Sequence, residues 1–341
     1  MRLFNSERFA DHLTPPGHPE RPERAEVLRR VALEWAARGH QLDEPVPADD
    51  ATLSLVHAPE YVAAIRETAG HAIRLDADTT TSPDSYDVAR LAAGAVIEGI
   101  RHVLATPDDP AAVLVRPPGH HAEVATAMGF CLFNSIAVGA AWARRQGLQR
   151  VAIVDFDVHH GNGTQAMFYD DPSVLFVSSH QYPYYPGSGA AGEVGRGAGA
   201  GFTVNLPLDA GAGDADVDEA FRSVALPVLE HFAPELLLVS AGFDAHEQDP
   251  LGGCRMTARG FAALTGALDA VARRHAGGRL VLVTEGGYDL EALGQSLTST
   301  LGVLERGGTP PAGATLAGDR GRGRAAAAMT RAALAPYWPG L

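Results

Sequence analysis

Val151-Ala-Ile-Val-Asp155-Phe-Asp157-Val-His159-His160-Gly-Asn162-Gly-Thr164 begins as a run of aliphatic residues and ends in carboxylates and imidazoles. A continuous apolar run without alternation is expected where both faces of a parallel sheet are covered. Similar runs occur at Ala112–Val115, Val174–Val177, Phe202–Leu206, Leu236–Val239 and Leu280–Val283, and all read as buried strands. Helical periodicity separates many of them. Val88, Leu91, Ala95 and the Ile100–Val103 pair form one stripe within Ser85–Leu104. Phe221, Val224, Val228, Leu229 and Phe232 form another, with Pro227 expected to kink it. A third, Phe261–His275, runs into Gly277–Gly278, a stop signal. Strand and helix in repetition imply an α/β fold with a mostly parallel sheet.

The unusual polar clusters follow these strands. RPPGHHAE comes after the first, DVHHGNGT ends the second and SSHQYPYYPGSG the third. AGFDAHEQDPLGG ends the fifth and TEGGYD the last. Ligands of open α/β sheets bind beyond the carboxyl ends of the strands, so the clusters would meet at one sheet edge. That implies a single domain over residues 1–341, with 305–341, rich in Gly, Pro, Ala and Arg, expected as a loop and short helix packed on it. No internal repeat is visible.

The 341 residues are 46% hydrophobic and 20% charged, as in soluble globular proteins. The formal net charge of −14 disfavours a broad nucleic-acid-binding face. Cys131 and Cys254 have no CxxC partners, which excludes a thiolate zinc site and suggests reduced thiols. The start shows no signal-peptide pattern and no apolar run is long enough for a membrane span, so a cytoplasmic enzyme is expected.

Asp157 and His159 could bind a divalent ion, which would relieve the repulsion of two carboxylates at a buried strand end. Side chains alternate faces along a strand, so Asp155, Asp157 and His159 point to the same side; a hydrogen-bonded carboxylate pair capping a turn is the other reading. Asp244, at another strand end, is a third ligand candidate. Three protein ligands with an open position suit catalytic zinc, and the oxygen-rich set also suits Fe2+. His120 and His121, in a turn fixed by prolines and a glycine, are candidate bases, with Asp155 and Asn162 as orienters. The Tyr288 phenol, on the Glu285-Gly-Gly turn, could donate to a developing oxyanion. There is no GxSxG elbow and no phosphate-binding GxxxxGK[ST] loop.

Taken together, RPPGHHAE, GFCLFN (129–134), DFDVHHGNGT, HQYPYYPGSG, SAGFDAHEQDPLGG and EGGYD resemble the motif series of the histone deacetylase family, in its class II branch and bacterial relatives. HPERPER at His18–Arg24 resembles the family's N-terminal motif, and the resemblance runs from about residue 10 to 300. It implies a three-layer arginase–deacetylase fold around an eight-stranded, mostly parallel sheet. It implies zinc on Asp157, His159 and Asp244, His121 as base and then acid, His120 paired with Asp155, and Tyr288 polarising the carbonyl. Phe130 and Tyr185 would wall a substrate tunnel, with Gly129, Gly287 and Leu251 along it. A structural potassium at Asp155, Asp157, His159 and Ser178 is also implied. Two positions depart from common members: Tyr185 stands where many have Phe, and Asn162 rather than Asp partners His121, the class II habit.

The implied activity is removal of acetyl or related acyl groups from lysine-like amines, on a peptide or small molecule, with no nucleic-acid or membrane partner; a homo-oligomer stays open. One alternative is an acetylpolyamine amidohydrolase, in which an acidic gate selects a cationic chain. Leu251 offers no such acid, although Asp78, Asp84 or Glu123 could supply one from another loop. A non-catalytic acyl-lysine binder would not need the ligands, the His pair and Tyr288 together. A two-metal ureohydrolase would need a second ligand set that is not evident.

Overall fold

The computed structural model describes residues 1–308, 316 and 318–341. Eight strands form one sheet: β1 Arg2–Phe4, β2 Gln41–Asp43, β3 Ala111–Val113, β4 Val151–Asp155, β5 Val174–Gln181, β6 Thr203–Leu208, β7 Leu236–Ala241 and β8 Leu280–Thr284. Their spatial order is β2-β1-β3-β8-β7-β4-β5-β6, and every neighbouring pair is parallel. The helices are α1 Glu23–Ala37, α2 Asp50–Leu53, α3 Pro59–Arg66, α4 Ser85–Ala105, α5 Ser135–Arg145, α6 Asn162–Phe168, α7 Asp214–Ala220, α8 Leu226–Phe232, α9 Ala258–His275, α10 Leu290–Glu305 and α11 Gly321–Leu334.

Successive strand residues face opposite sides, and the apolar runs divide accordingly. Ala152 and Val154 of β4, with Leu280 and Leu282 of β8, join the core covered by α1 and α7 to α11. Val151, Ile153, Val281 and Val283 join the core covered by α4 and α5. Helix layers on both faces give the three-layer α/β arrangement expected from the sequence. A smaller cluster packs α2 and α3 against α4 and α5.

Four adjacent strands, β3-β8-β7-β4, explain why the polar clusters meet. Their loops carry RPPGHHAE, TEGGYD, GFDAHEQDPLGG and DVHHGNGT, so neighbours in space come from segments far apart in sequence.

Several expectations need correction. β1 and β2 are three residues each, RLF and QLD, too short to stand out as apolar runs. β4 stops at Asp155, so strand alternation does not place Asp157 and His159. Side-chain turns do: Asp155 Oδ1 accepts from the Asp157 amide at 3.1 Å and Asp157 Oδ1 from the His159 amide at 2.9 Å. The irregularity expected at Pro227 takes the form of a π turn over Phe221–Ala225, with Pro227, which lacks an N–H, following it at the start of α8. The stop after α9 is as expected: Gly277 and Gly278 have φ of 60° and 77°, and the Gly278 amide donates back to Ala272. The expected C-terminal helix is α11, which docks on β6 through a Thr330 hydroxyl bond to the Asn205 carbonyl at 2.6 Å. Part of the expected loop before it lies outside the described residues. No helix among the described residues is long and apolar enough to cross a membrane.

Candidate active site

Asp157, His159 and Asp244 come together at the ends of β4 and β7, fully or almost fully buried, with one ligand atom from each within 4.8 Å of the others. His159 Nδ1 lies 3.1 Å from both Asp157 Oδ1 and Asp244 Oδ2. The remaining carboxylate oxygens are fixed by backbone amides, Asp157 Oδ2 by Gly286 at 2.8 Å and Asp244 Oδ1 by Val158 at 2.9 Å. Gly286 permits that approach, because a Cβ there would collide with both carboxylates. Burial, and then the Asp157 charge beside it, push the Asp244 pKa up to about 7. Two buried carboxylates facing one imidazole nitrogen favour positive charge at that point, and the donor set fits a divalent metal ion.

The two histidines after β3 are oriented differently. His120 Nδ1 is 2.9 Å from Asp155 Oδ2, and its ring lies 4.0 Å, centroid to centroid, from that of His121. Burial opposes charge on His120, but Asp155 and then Asp157 overcome it and raise its pKa to about 10. His121 Nδ1 meets Asn162 Oδ1 at 2.8 Å, and Asn162 Nδ2 donates to Glu123 Oε1 at 2.8 Å, which fixes the amide's orientation. His121 therefore carries its proton on Nδ1 and keeps a lone pair on Nε2. Burial, followed by the neighbouring His120 and His159, holds its pKa well below the ordinary value. Glu285 supports the turn, its Oε2 accepting from the Gly119 and His120 amides at 2.6 and 3.2 Å.

A cavity of about 200 Å³ opens onto this centre, lined by Asp78, His121, Gly129, Phe130, His159, Tyr184, Tyr185, Leu251 and Tyr288. Phe130 holds an uncommon φ of 68°, and its ring stands edge-on to Tyr288 at 5.7 Å. Gly129 at φ 56° passes so close to the His121 ring that a side chain would collide with it. Tyr185 stands edge-on to His121 at 5.2 Å. Burial, and then the Asp244 and Asp157 charges, keep the Tyr288 phenol protonated, despite the Arg24 guanidinium 4.9 Å above its ring. The expected lining residue Gly287 is absent from this wall; its carbonyl turns away to accept from Arg24 Nε at 2.7 Å. Ser178 is buried beside Asp155 in the ladder, with its hydroxyl 2.9 Å from His180 Nδ1.

Tyr184, whose ring stacks on His159 at 5.6 Å, was not singled out in the sequence; the Tyr184–Tyr185 doublet was its signal. Asp249, bonded to the Tyr288 and Leu251 amides, was also missed, since nothing distinguishes it from a turn aspartate.

Comparison with known proteins agrees with this geometry. The histone deacetylase domain model, whose family is zinc-dependent, matches residues 18–304. A probable deacetylase of Archaeoglobus fulgidus is 39% identical over 301 residues, covering 87% of this chain and 83% of its own. The human polyamine deacetylase HDAC10 is 42% identical over 340 residues, 94% of this chain but 50% of its own length. The crystal structure of the HDA15 HD domain superimposes with a TM-score of 0.88 at 36% identity, covering 99% of this chain and 95% of that one. The sequence match covers most of the chain and the fold agrees over nearly all of it, and the chain belongs to the histone deacetylase family as a deacetylase hydrolase.

Proposed function

We propose that the chain hydrolyses the amide of acetylated or related acylated lysine side chains, with zinc held by Asp157, His159 and Asp244. Bound there, zinc supplies a Lewis acid that acidifies a water and polarises the carbonyl. His121 Nε2, unprotonated, takes the proton of the attacking water and later delivers one to the leaving amine. The charged His120–Asp155 pair stabilises negative charge developing beside it, and the Tyr288 hydroxyl donates to the carbonyl oxygen as it becomes an oxyanion. Phe130 and Tyr185 flank the alkyl stem, with Gly129 leaving room between them and His121. The observation that carries this reading is the His121–Asn162 bond at 2.8 Å beside the buried Asp157–His159–Asp244 group: a base with a free lone pair next to a metal-ligand set.

The ligand set accepts Fe2+ as well as Zn2+. A structural potassium at Asp155, Asp157, His159 and Ser178 belongs to the proposal, supported by the burial of these four residues where β4 ends beside Ser178 of β5. The whole chain acts as one catalytic domain with residues 305–341 as its extension, and the free, buried Cys131 and Cys254 suit a reducing cytoplasm.

An acetylpolyamine is the second substrate reading, favoured by the name of the human relative and by Asp78 in the cavity wall. Leu251 argues for lysine side chains, because an apolar residue in that wall cannot pair with a distant ammonium. Competition between an acetyl-lysine peptide and acetylspermidine tests the choice. The peptide should be turned over faster, and Leu251→Glu should move the kcat/KM ratio toward the polyamine by about 1 kcal/mol. Preference of the wild type for acetylspermidine would replace lysine by polyamine.

A further inference from the structure

We propose that Asp249 is a positioning residue that ties the Tyr288 turn to the Leu251 loop and thereby fixes where the phenol hydroxyl meets the substrate carbonyl. This rests on the role given to Tyr288 above.

Asp249 is 6% exposed and spends both carboxylate oxygens on backbone amides of two different loops. Oδ2 accepts from the Tyr288 amide at 2.6 Å and the Asp289 amide at 3.0 Å. Oδ1 accepts from the Leu251 amide at 3.0 Å. Leu251 and Tyr288 both line the cavity, so one buried carboxylate sets two parts of its wall. The turn needs such a tie. Gly286 and Gly287 precede Tyr288, and Gly287 sits at φ 123°, so the backbone alone leaves the phenol's position loosely defined.

The other contacts act in the same sense. Arg24 holds the Gly287 carbonyl through Nε at 2.7 Å and is itself anchored by Glu20 at 2.8 Å. Asp289 begins α10, its carboxylate accepting from the Ala292 amide at 2.8 Å. Asp249 thus meets the chain where a flexible glycine turn becomes a rigid helix. Charge-assisted bonds from amides to a buried carboxylate are short and directional, as a clamp on a catalytic phenol requires. Asp249 itself does not line the cavity and touches no reacting atom.

The test compares Asp249→Asn in the wild type and in Tyr288→Phe. Asparagine keeps the size but turns an NH2 toward one set of amide donors. On an acetyl-lysine peptide, Asp249→Asn should lower kcat about 10- to 100-fold while KM changes less than about threefold. In the Tyr288→Phe background the same substitution should cost less than about threefold more, because the hydroxyl it positions is already gone. Hydrogen–deuterium exchange should rise in peptides covering 284–290 and 250–253, with zinc stoichiometry unchanged. Near-normal kcat in Asp249→Asn, an equal loss in both backgrounds, or unaltered exchange in those segments would overturn the proposal. A wild type without amidohydrolase activity would instead refute the functional reading, and the exchange measurement would still decide whether the clamp exists.

Discussion

Asp157 and Asp244 present carboxylate oxygens to one imidazole nitrogen from the loops that follow β4 and β7, and removing either should leave the other's charge buried without its partners. Asp157→Ala or Asp244→Ala is therefore expected to abolish stoichiometric zinc binding and turnover together, as read by metal analysis and acetate release. A variant that still holds one zinc per chain would remove that residue from the ligand set. Tyr288→Phe keeps the ring against Phe130 and deletes only the donor, so kcat should fall about 10²- to 10³-fold with metal content intact. His121→Ala should be at least as damaging, and near-normal turnover of either variant would void its assigned role. Most of these side chains could be found in the sequence because each is chemically unusual at a strand end: adjacent histidines, DxDxH, a phenol after two glycines. Asp249 could not. Its importance lies in which amides its carboxylate reaches, and aspartates in turns are too common to mark one.

His57, in the turn between α2 and α3, ties that corner to the start of α5. Its Nδ1 lies 3.0 Å from the Glu123 carbonyl, and its Nε2 accepts from the Asn134 amide at 2.9 Å, so the ring is neutral with its proton on Nδ1. Burial lowers its pKa to about 4, despite the backbone carbonyl that favours the proton. Below pH 6.5 the unfolded chain takes up a proton that the native state refuses until about pH 4, so stability must fall as pH drops through that window. The contribution of one such group is about 3 kcal/mol at most. Urea unfolding from pH 7 to 4.5 should show a smaller loss in His57→Gln than in the wild type; equal losses would mean that His57 is not the responsible group. The strands and helices read best from sequence were those buried on both faces or on a long stripe, such as β4 and α4. β1 and β2 escaped because at three residues their pairing, not their composition, makes them strands. The turn that brings Asp157 and His159 together escaped for a related reason: it depends on side chains bonding local amides beyond the last ladder residue.

Every one of the 27 basic residues of this chain is an arginine. The chain therefore carries no lysine side-chain amine of its own, and the amine of Met1 is paired with Asp109. Incubation with a reactive acyl donor should acylate no side-chain amine, as read by peptide mass mapping, and leave turnover unaltered; amide-linked acyl groups on internal peptides would contradict this. The fold class was legible because its cause is global: apolar strands, each followed by a polar cluster, imply one sheet with its chemistry at one edge. The sheet order was not, because neither spacing nor composition records that β3, β8, β7 and β4 lie side by side. That adjacency brings the candidate metal ligands together from distant segments, and metal removal tests the assignment. Protein stripped with a chelator should release no acetate from an acetyl-lysine peptide and should regain turnover in proportion to added zinc, levelling at one ion per chain, whereas full turnover by rigorously metal-free protein would contradict the assignment.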